Sequence, residues 1–161
     1  MELVVLGLGS NRGDSKAILA GAVKCLHGIL TDLRSAPMFE TAPQGIVDQP
    51  SFLNMAVCGS CALTPEELLE IVHYIEAAFG RDRIRERHWG ERTLDIDILL
   101  FGRRVLSGPS LTIPHPRLRE RAFALVPLLA LLPKATDPRT GEPYARVLEE
   151  LPGQDVKQFK G

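Results

Sequence analysis

An α+β fold built on an antiparallel sheet is predicted by three observations. Short apolar or alternating runs at Leu3–Leu8, Leu33–Glu40, Phe52–Leu63 and Thr93–Phe101 have the length and pattern of strands. Two stretches between them, from Asp14 to about Leu30 and from Thr64 to about Phe79, carry the apolar periodicity of helices. The chain has 161 residues, 45% of them hydrophobic, which is enough for one core, and no repeat, linker or low-complexity tract divides it.

The elements follow one another by local chemistry. Leu3–Leu8 is a buried strand that ends in the turn-prone Gly7-Leu8-Gly9-Ser10-Asn11-Arg12-Gly13. Asp14 or Ser15 caps the first helix, which places Ile18, Leu19, Ala22, Val23, Leu26, Ile29 and Leu30 on one face. The second strand, near Leu33–Glu40, is followed by a loop from Thr41 through Pro50 and by the third strand, Phe52–Leu63. Thr64-Pro65-Glu66-Glu67 then supplies an N-cap, a proline at the first helical position and a capping box, and the helix stops at Gly80. Residues 81–92 have no apolar period and read as a loop; Thr93–Phe101, closed by Gly102, is the fourth strand. The order β-α-β-β-α-β is that of a ferredoxin-like split βαβ unit, with both helices on one face of the sheet, and residues 1–161 are expected to form a single domain. Beyond it, Pro114 and Pro116 stiffen a turn, a short helix runs through Arg121, Pro127 opens a helix ending near Leu132, Glu142–Leu151 is helical, and the tail from Gln154 carries no signal.

Charge is nearly balanced over the whole chain, at −1, but not along it. Segment 81–121 holds 10 arginines against 6 acidic residues, +4 against −5 for the remainder. Near-neutrality disfavours a strongly basic nucleic-acid binder, whereas clustered guanidinium forks suit phosphate oxygens. Cys25, Cys58 and Cys61 are odd in number, and Cys58-Gly-Ser-Cys61 lies in a strand-like run without further zinc ligands. Buried thiols in a reducing cytoplasm are expected. The start, Met1-Glu2, has no basic region ahead of its apolar run, and Ala122–Leu132 is too short to span a bilayer.

Asp95-Ile96-Asp97 is the triplet with the most chemistry. Strand alternation places both carboxylates on one face and Leu94, Ile96 and Ile98 on the other. Adjacent carboxylates repel, and a divalent cation between them relieves the repulsion; hard oxygen ligands suit Mg²⁺, which also takes phosphate oxygens. A solvated polar strand face is the alternative for the triplet alone. Arg81, Arg83, Arg85, Arg87 and Arg92 immediately upstream supply the cations that phosphoryl transfer needs, although Glu86 and Glu91 could pair with them in an ordinary exposed loop. The glycine-rich Gly7–Gly13 lacks the spacing of either nucleotide cradle and reads as a tight strand–helix turn. Phe52 and Asn54 share a strand face and suit stacking on, and pairing with, a flat heterocycle, or a place in the core. His115 sits between two prolines.

Taken together, these motifs resemble the 6-hydroxymethyl-7,8-dihydropterin pyrophosphokinase family. The resemblance is carried by Leu8-Gly9-Ser10-Asn11, Thr41-Ala42-Pro43, Gln49-Pro50 with Phe52-Leu53-Asn54, Glu76, and Gly80-Arg81-Asp82-Arg83. It continues through Trp89-Gly90-Glu91-Arg92-Thr93-Leu94-Asp95-Ile96-Asp97-Ile98-Leu99, Ile113-Pro114-His115-Pro116, Arg121 and Phe123. It runs from about residue 4 to about residue 133, and the block from Trp89 to Asp97 is its most specific part. Phe52 stands where the family often has Tyr, and Arg87-His88-Trp89 holds one residue more than usual.

The resemblance implies an αβα sandwich and an enzyme of folate biosynthesis. Such an enzyme transfers pyrophosphate from ATP to the substrate's hydroxymethyl group and releases AMP. It implies two Mg²⁺ ions on Asp95 and Asp97, with Arg81 and Arg92 as catalytic phosphate-facing cations. Glu76, Arg83, Trp89, Arg92, Ile98, Thr112, His115 and Arg121 are implied around the nucleotide. For the pterin it implies Phe52 and Phe123 as stacking rings, Asn54 at the ring edge, the segment Thr41, Ala42, Pro43 and Gln44, and Trp89 and Asp95 beside it. Loops 43–50 and 81–92 would be lids. Two small-molecule substrates, a cytoplasmic monomer, and no nucleic acid or membrane partner are expected. Two other readings stand beside this one: another ATP-dependent phosphotransferase using the same acid pair, and an RNA-binding ferredoxin-like module, whose strands would lack the usual aromatic signature.

Overall fold

Residues 1–41, 50–80 and 93–161 are described by the computed structural model. In order they form β1 (Glu2–Ser10), α1 (Ser15–His27), β2 (Leu30–Ser35), β3 (Phe39–Thr41), β4 (Phe52–Cys61), α2 (Pro65–Ala78), β5 (Asp95–Phe101), β6 (Leu106–Ser107) and β7 (Thr112–Ile113). A 3₁₀ turn (Leu118–Glu120), α3 (Ala122–Leu131), α4 (Tyr144–Glu150) and β8 (Val156–Gln158) complete the chain. The main sheet has the order β5-β1-β4-β3-β8, with β2 also paired to β4, and its pairings are antiparallel. β6 and β7 form a separate hairpin.

Both sheet faces are covered. One presents Val4, Leu6, Leu8, Met55, Val57, Ile96 and Ile98 to Leu19, Ala22 and Leu26 of α1 and to Leu68, Val72 and Ile75 of α2. The other presents Val5, Ala56, Cys58, Leu99 and Leu100 to Leu125, Leu128 and Leu131 of α3 and to Tyr144 and Val147 of α4. Two-sided burial is why β1 reads as an apolar run rather than an alternating one. A β-bulge decides which face each β5 residue takes. Leu6 pairs with Ile98 but Val5 with Leu100, so Leu99 is the extra residue, and Leu99 and Leu100 both enter the α3 core. The same phase sends Ile96 and Ile98 to the α1–α2 core, as strand alternation predicts.

The helix starts follow their local signals. Asp14 caps α1 by accepting from the Ala17 N–H, and Thr64 and Glu67 form the full capping box of α2. Gly80, at φ +87°, follows α2 in the left-handed conformation that terminates helices.

Several expectations are corrected. The single strand Leu33–Glu40 is two strands, β2 and β3, because Pro37 has no N–H for the ladder; they lie end to end along β4. α1 ends at His27 and Leu30 begins β2, and β5 starts at Asp95 rather than Thr93. Pro127 lies inside α3 instead of opening it. The first N–H of that helix, from Ala122, is taken by Gln154 Oε1 at 2.8 Å, a cap supplied from 32 residues away. The segment through Arg121 is a 3₁₀ turn, and the tail holds β8, paired to β3. Gly7 and Gly9 are strand residues, not a turn. Cys58 and Cys61 are buried on opposite faces of β4, but Cys25 is exposed. No helix among the described residues is long and apolar enough to cross a membrane.

Some arginines of segment 81–121 have structural partners. Arg104 pairs with Glu2, and Arg119 bridges Glu142 and the fully buried Asp137. Asp137 also accepts the Arg139 backbone N–H at 2.9 Å. Burial alone would raise the Asp137 pKa, but the hydrogen bonds from Arg139 and Arg119 outweigh it and hold the group below its ordinary 3.8. The unfolded chain therefore takes up this proton more readily. The stability that Asp137 contributes is complete above the ordinary value and is lost as pH falls through the lower folded-state value. Asp137→Asn is expected to cost about 1–3 kcal/mol at neutral pH and to flatten the acid limb of a urea-midpoint-versus-pH curve. An acid limb as steep as wild type would contradict this account.

Candidate active site

Toward one end of the sheet, the described residues on its α3 face change from apolar to polar and glycine. There the ladder aligns Asp95 of β5, Gly9 of β1, Asn54 of β4 and Phe39 of β3 in one row, and Asp97, Gly7 and Ala56 in the next. The same face that buries Val5, Cys58 and Leu100 farther along each strand thus changes from core to site within two residues. Gly7 and Gly9 make the floor. A Cβ on Gly9 would stand 2.9 Å from Asn54 Oδ1, and one on Gly7 would stand 3.2 Å from Leu99 Cδ1. The glycines that read as a tight strand–helix turn instead let neighbouring side chains lie flat across β1.

Asp95 and Asp97 project from this floor, both partly exposed, while Leu94, Ile96 and Ile98 are buried behind it. Two further titratable groups reach the pair from the chain after β7. The His115 N–H donates to the Leu99 carbonyl at 3.0 Å, which lays the segment after β7 against β5. His115 Nδ1 accepts the Arg117 N–H at 3.2 Å, leaving Nε2 to face Asp97 Oδ1 at 3.7 Å. This is longer than a hydrogen bond. Burial pushes the His115 pKa down to about 4, with the Arg121 charge acting in the same direction and Asp95 opposing. The ring is therefore neutral at pH 7, with its proton on Nε2, and the contact with Asp97 is not an ion pair. Arg121 Nη1 stands 3.6 Å from Asp97 Oδ2. Burial lowers the Arg121 pKa, opposed chiefly by Asp97, but a guanidinium stays charged throughout the physiological range. Its Nε is buried without a hydrogen-bond partner in the described structure, a donor left for an anion.

Aromatic and amide groups border the acids. Arg121 Cζ lies 5.4 Å from the centroid of the Phe123 ring, at the start of α3. Asn54, almost buried, donates from Nδ2 to Thr41 Oγ1 at 3.0 Å, and Phe52 shares its strand face. Asn11 Nδ2 donates to the Pro50 carbonyl at 3.0 Å, which ties the end of β1 to the entry of β4.

The sequence-derived site residues therefore divide into groups. Asp95, Asp97, His115, Arg121 and Phe123 come together, and Asn54, Phe52 and Thr41 adjoin them along the floor. Thr112 lies in β7, against β5, and Ile98 is buried in β5. Glu76 turns inward: it is 1% exposed, and its Oε2 accepts the Ile96 N–H at 2.8 Å. Ala42, Pro43, Gln44, Arg81, Arg83, Trp89 and Arg92 lie outside the described residues. Sequence reasoning missed the use made of Gly7 and Gly9; their spacing of two within an apolar run is a flat-face signal when the run is a strand.

Asp95 and Asp97 fit a Mg²⁺ ion. They supply hard oxygen donors, and no group of three His, Cys, Asp or Glu side chains suited to a metal forms among the described residues. Such a half-set suits a cation that keeps waters and takes its remaining ligands from phosphate.

Comparison with known proteins agrees with this site. A sequence model of the family described as 7,8-dihydro-6-hydroxymethylpterin-pyrophosphokinase matches residues 5–133. A 2-amino-4-hydroxy-6-hydroxymethyldihydropteridine pyrophosphokinase of Methylorubrum extorquens is 49% identical over 136 residues, 83% of this chain and 84% of the relative. One of the same name from Bacillus subtilis is 41% identical over 160 residues, covering 96% of this chain and 95% of the relative. Among solved structures, a wild-type Plasmodium falciparum HPPK-DHPS superposes with a TM-score of 0.71 at 16% identity. That match covers 93% of this chain but 43% of the Plasmodium chain, and at this identity it shows the fold alone. With a family match over most of its length and two bacterial relatives above 40% identity, the chain belongs to the 7,8-dihydro-6-hydroxymethylpterin-pyrophosphokinase family.

Proposed function

We propose that this protein transfers pyrophosphate from ATP to the hydroxymethyl group of 6-hydroxymethyl-7,8-dihydropterin, releasing AMP, in folate biosynthesis. The observation that carries the reading is the pair Asp95 and Asp97 on a glycine floor, with a cation beside them and an aromatic ring beyond. The pterin hydroxyl oxygen forms a bond to the β-phosphorus as the bond from that phosphorus to the α,β-bridging oxygen breaks, and AMP leaves with that oxygen. Mg²⁺, when bound, supplies charge neutralisation and alignment of the phosphate oxygens. Asp95 and Asp97 would hold it, and two such ions are our reading.

The chain's own groups then have distinct tasks. Arg121 offers a fixed positive charge and an unsatisfied donor to the phosphates. His115 acts as a neutral N–H donor, positioned by the Arg117 amide. Phe123 and Phe52 suit the two faces of a flat ring, and Asn54 suits its edge. Arg81 and Arg92 complete the reading as phosphate-facing cations, Arg83 and Trp89 at the nucleotide, and Ala42, Pro43 and Gln44 at the pterin. Thr112, in β7, and the backbone of Ile98, whose side chain lies in the α1–α2 core, are read as nucleotide contacts. The strand order and the placement of α1 and α2 on one face support a ferredoxin-like core within one domain, residues 1–161. The buried Cys58 and Cys61 support a cytoplasmic setting, and a monomer working on small molecules is our reading.

Incubated with ATP, Mg²⁺ and the reduced pterin, the protein is expected to produce AMP stoichiometrically with pterin consumption. ADP as the main nucleotide product would overturn the assignment in favour of another phosphotransferase. Asp97→Ala should lower kcat by about 100-fold or more while its circular dichroism remains that of wild type; near-wild-type turnover would refute the metal role. By NMR titration of the free protein, His115 should show a midpoint of about 4. Arg121→Gln should move it upward, since the Arg121 charge is among the causes of the depression. A wild-type midpoint near the ordinary 6.5 would contradict the buried, neutral ring.

A further inference from the structure

Glu76 lies in the last turn of α2, on the opposite side of the sheet from the acid pair, and is one of few charged side chains buried in the described structure. Among the described residues, its carboxylate accepts from the amide N–H of Ile96, in the peptide group that directly joins Asp95 to Ile96. β5 is the terminal strand of the sheet. In its ladder with β1, Asp95 opposes Gly9, Ile96 opposes Leu8 and Asp97 opposes Gly7. An antiparallel strand turns the backbone groups of alternate residues inward and outward. Because the Ile96 N–H goes to Glu76, the outward residue is Ile96, and the inward ones are Asp95 and Asp97. The segment carrying both acids is thus gripped from its inner side by β1 and from its outer side by Glu76. An edge strand without such a partner presents an unpaired donor at this point and is free to twist.

We propose that Glu76 is a positioning residue for the metal-holding pair. By fixing the peptide between Asp95 and Ile96 from the edge, its carboxylate sets the relative orientation of the Asp95 and Asp97 side chains, and so the affinity of the site for Mg²⁺ with nucleotide. The proposal rests on the reading of Asp95 and Asp97 as metal-holding groups. It gives Glu76 a role that needs no contact with nucleotide, which suits a side chain with almost no exposed surface. A charge-assisted hydrogen bond of this kind is stronger than a neutral one, and outer partners of metal-holding groups typically tune affinity by 10- to 100-fold.

The test compares Glu76→Met, which keeps volume and helix propensity but removes the acceptor, with Glu76→Gln, which keeps an acceptor oxygen. Two quantities are read on full-length protein: hydrogen exchange of the Ile96 amide, and the Mg²⁺ concentration for half-maximal binding of a non-hydrolysable ATP analogue. Glu76→Met is expected to speed Ile96 exchange and raise the Mg²⁺ requirement about 10-fold, with Glu76→Gln within about twofold of wild type in both. A folded Glu76→Met protein with faster Ile96 exchange and wild-type Mg²⁺ dependence overturns the proposal, because a purely structural contact would behave that way. If Glu76→Met does not fold, Glu76→Ala takes its place in the same two readouts: faster Ile96 exchange with an about 10-fold higher Mg²⁺ requirement upholds the proposal, and faster exchange with wild-type Mg²⁺ dependence overturns it. Asp97→Ala, measured alongside, separates the two levels of the argument. It should abolish Mg²⁺-stimulated analogue binding, and retention of that stimulation would overturn the metal reading itself and the proposal with it.

Discussion

Two carboxylates on alternate residues of one strand face stand roughly 7 Å apart, and at an effective dielectric of ~20 their repulsion is about 2–3 kcal/mol. Much of the structure around β5 can be understood as what makes that arrangement tenable. Arg121, at 3.6 Å from Asp97, contributes an attraction of comparable or larger size, although its own burial works against it. The neutral His115 adds an N–H dipole without adding a charge that would neutralise the pair permanently. The strand itself cannot bend away from the strain, because the ladder to β1 holds one edge and Glu76 the other. Among the described residues the pair thus has one cation and one neutral N–H donor beside it, and two carboxylates so placed suit a divalent cation together with phosphate.

The same face of the sheet must also serve as a core. Along β1 the residues on the α3 side run from Val5, packed under α3, to Gly7 and Gly9 at the open end. Along β5 they run from Leu100 and Leu99 to Asp97 and Asp95. The bulge at Leu99 lets the two acids share a face with Val5 and Leu100 while Ile96 and Ile98 stay in the opposite core. Without that extra residue the phase on one side of it would invert, exposing isoleucines or burying carboxylates. Placement of the site therefore follows from strand register, and the rigid core beneath it is what holds the site's geometry.

How much of this was legible in the sequence depended on how local the cause was. The capping box of α2, the cap of α1 and the alternation of Asp95, Ile96 and Asp97 are decided within a few residues, and each was readable. The shared face of the acid pair followed from residue type and spacing. The failures share a non-local origin. The start of α3 is capped by Gln154, β8 exists because β3 offers an edge, and Glu76 faces inward because Ile96 needs an acceptor. The partners of Arg119 and Arg104, namely Asp137, Glu142 and Glu2, likewise meet them only across the fold. Pro127 misled for the opposite reason: a strong local rule for helix starts yielded to burial of Ala124, Leu125 and Leu128 on both sides of it.

Arg121 joins the two halves of the proposed reaction. One side of its guanidinium faces Asp97, where phosphate and metal would lie, and the other lies over the ring of Phe123, where a pterin would stack. Cation–π attraction in a partly desolvated setting is worth about 0.5–2 kcal/mol, enough to bias the ring's orientation. Charge arriving on the Asp97 side changes how strongly Arg121 is drawn toward it, and so how it rests on Phe123. A substitution at Arg121 therefore cannot be interpreted as the loss of a nucleotide contact alone, because it also releases the ring. The two halves of the proposed site thus share one side chain, in contact with Asp97 on one side and the Phe123 ring on the other.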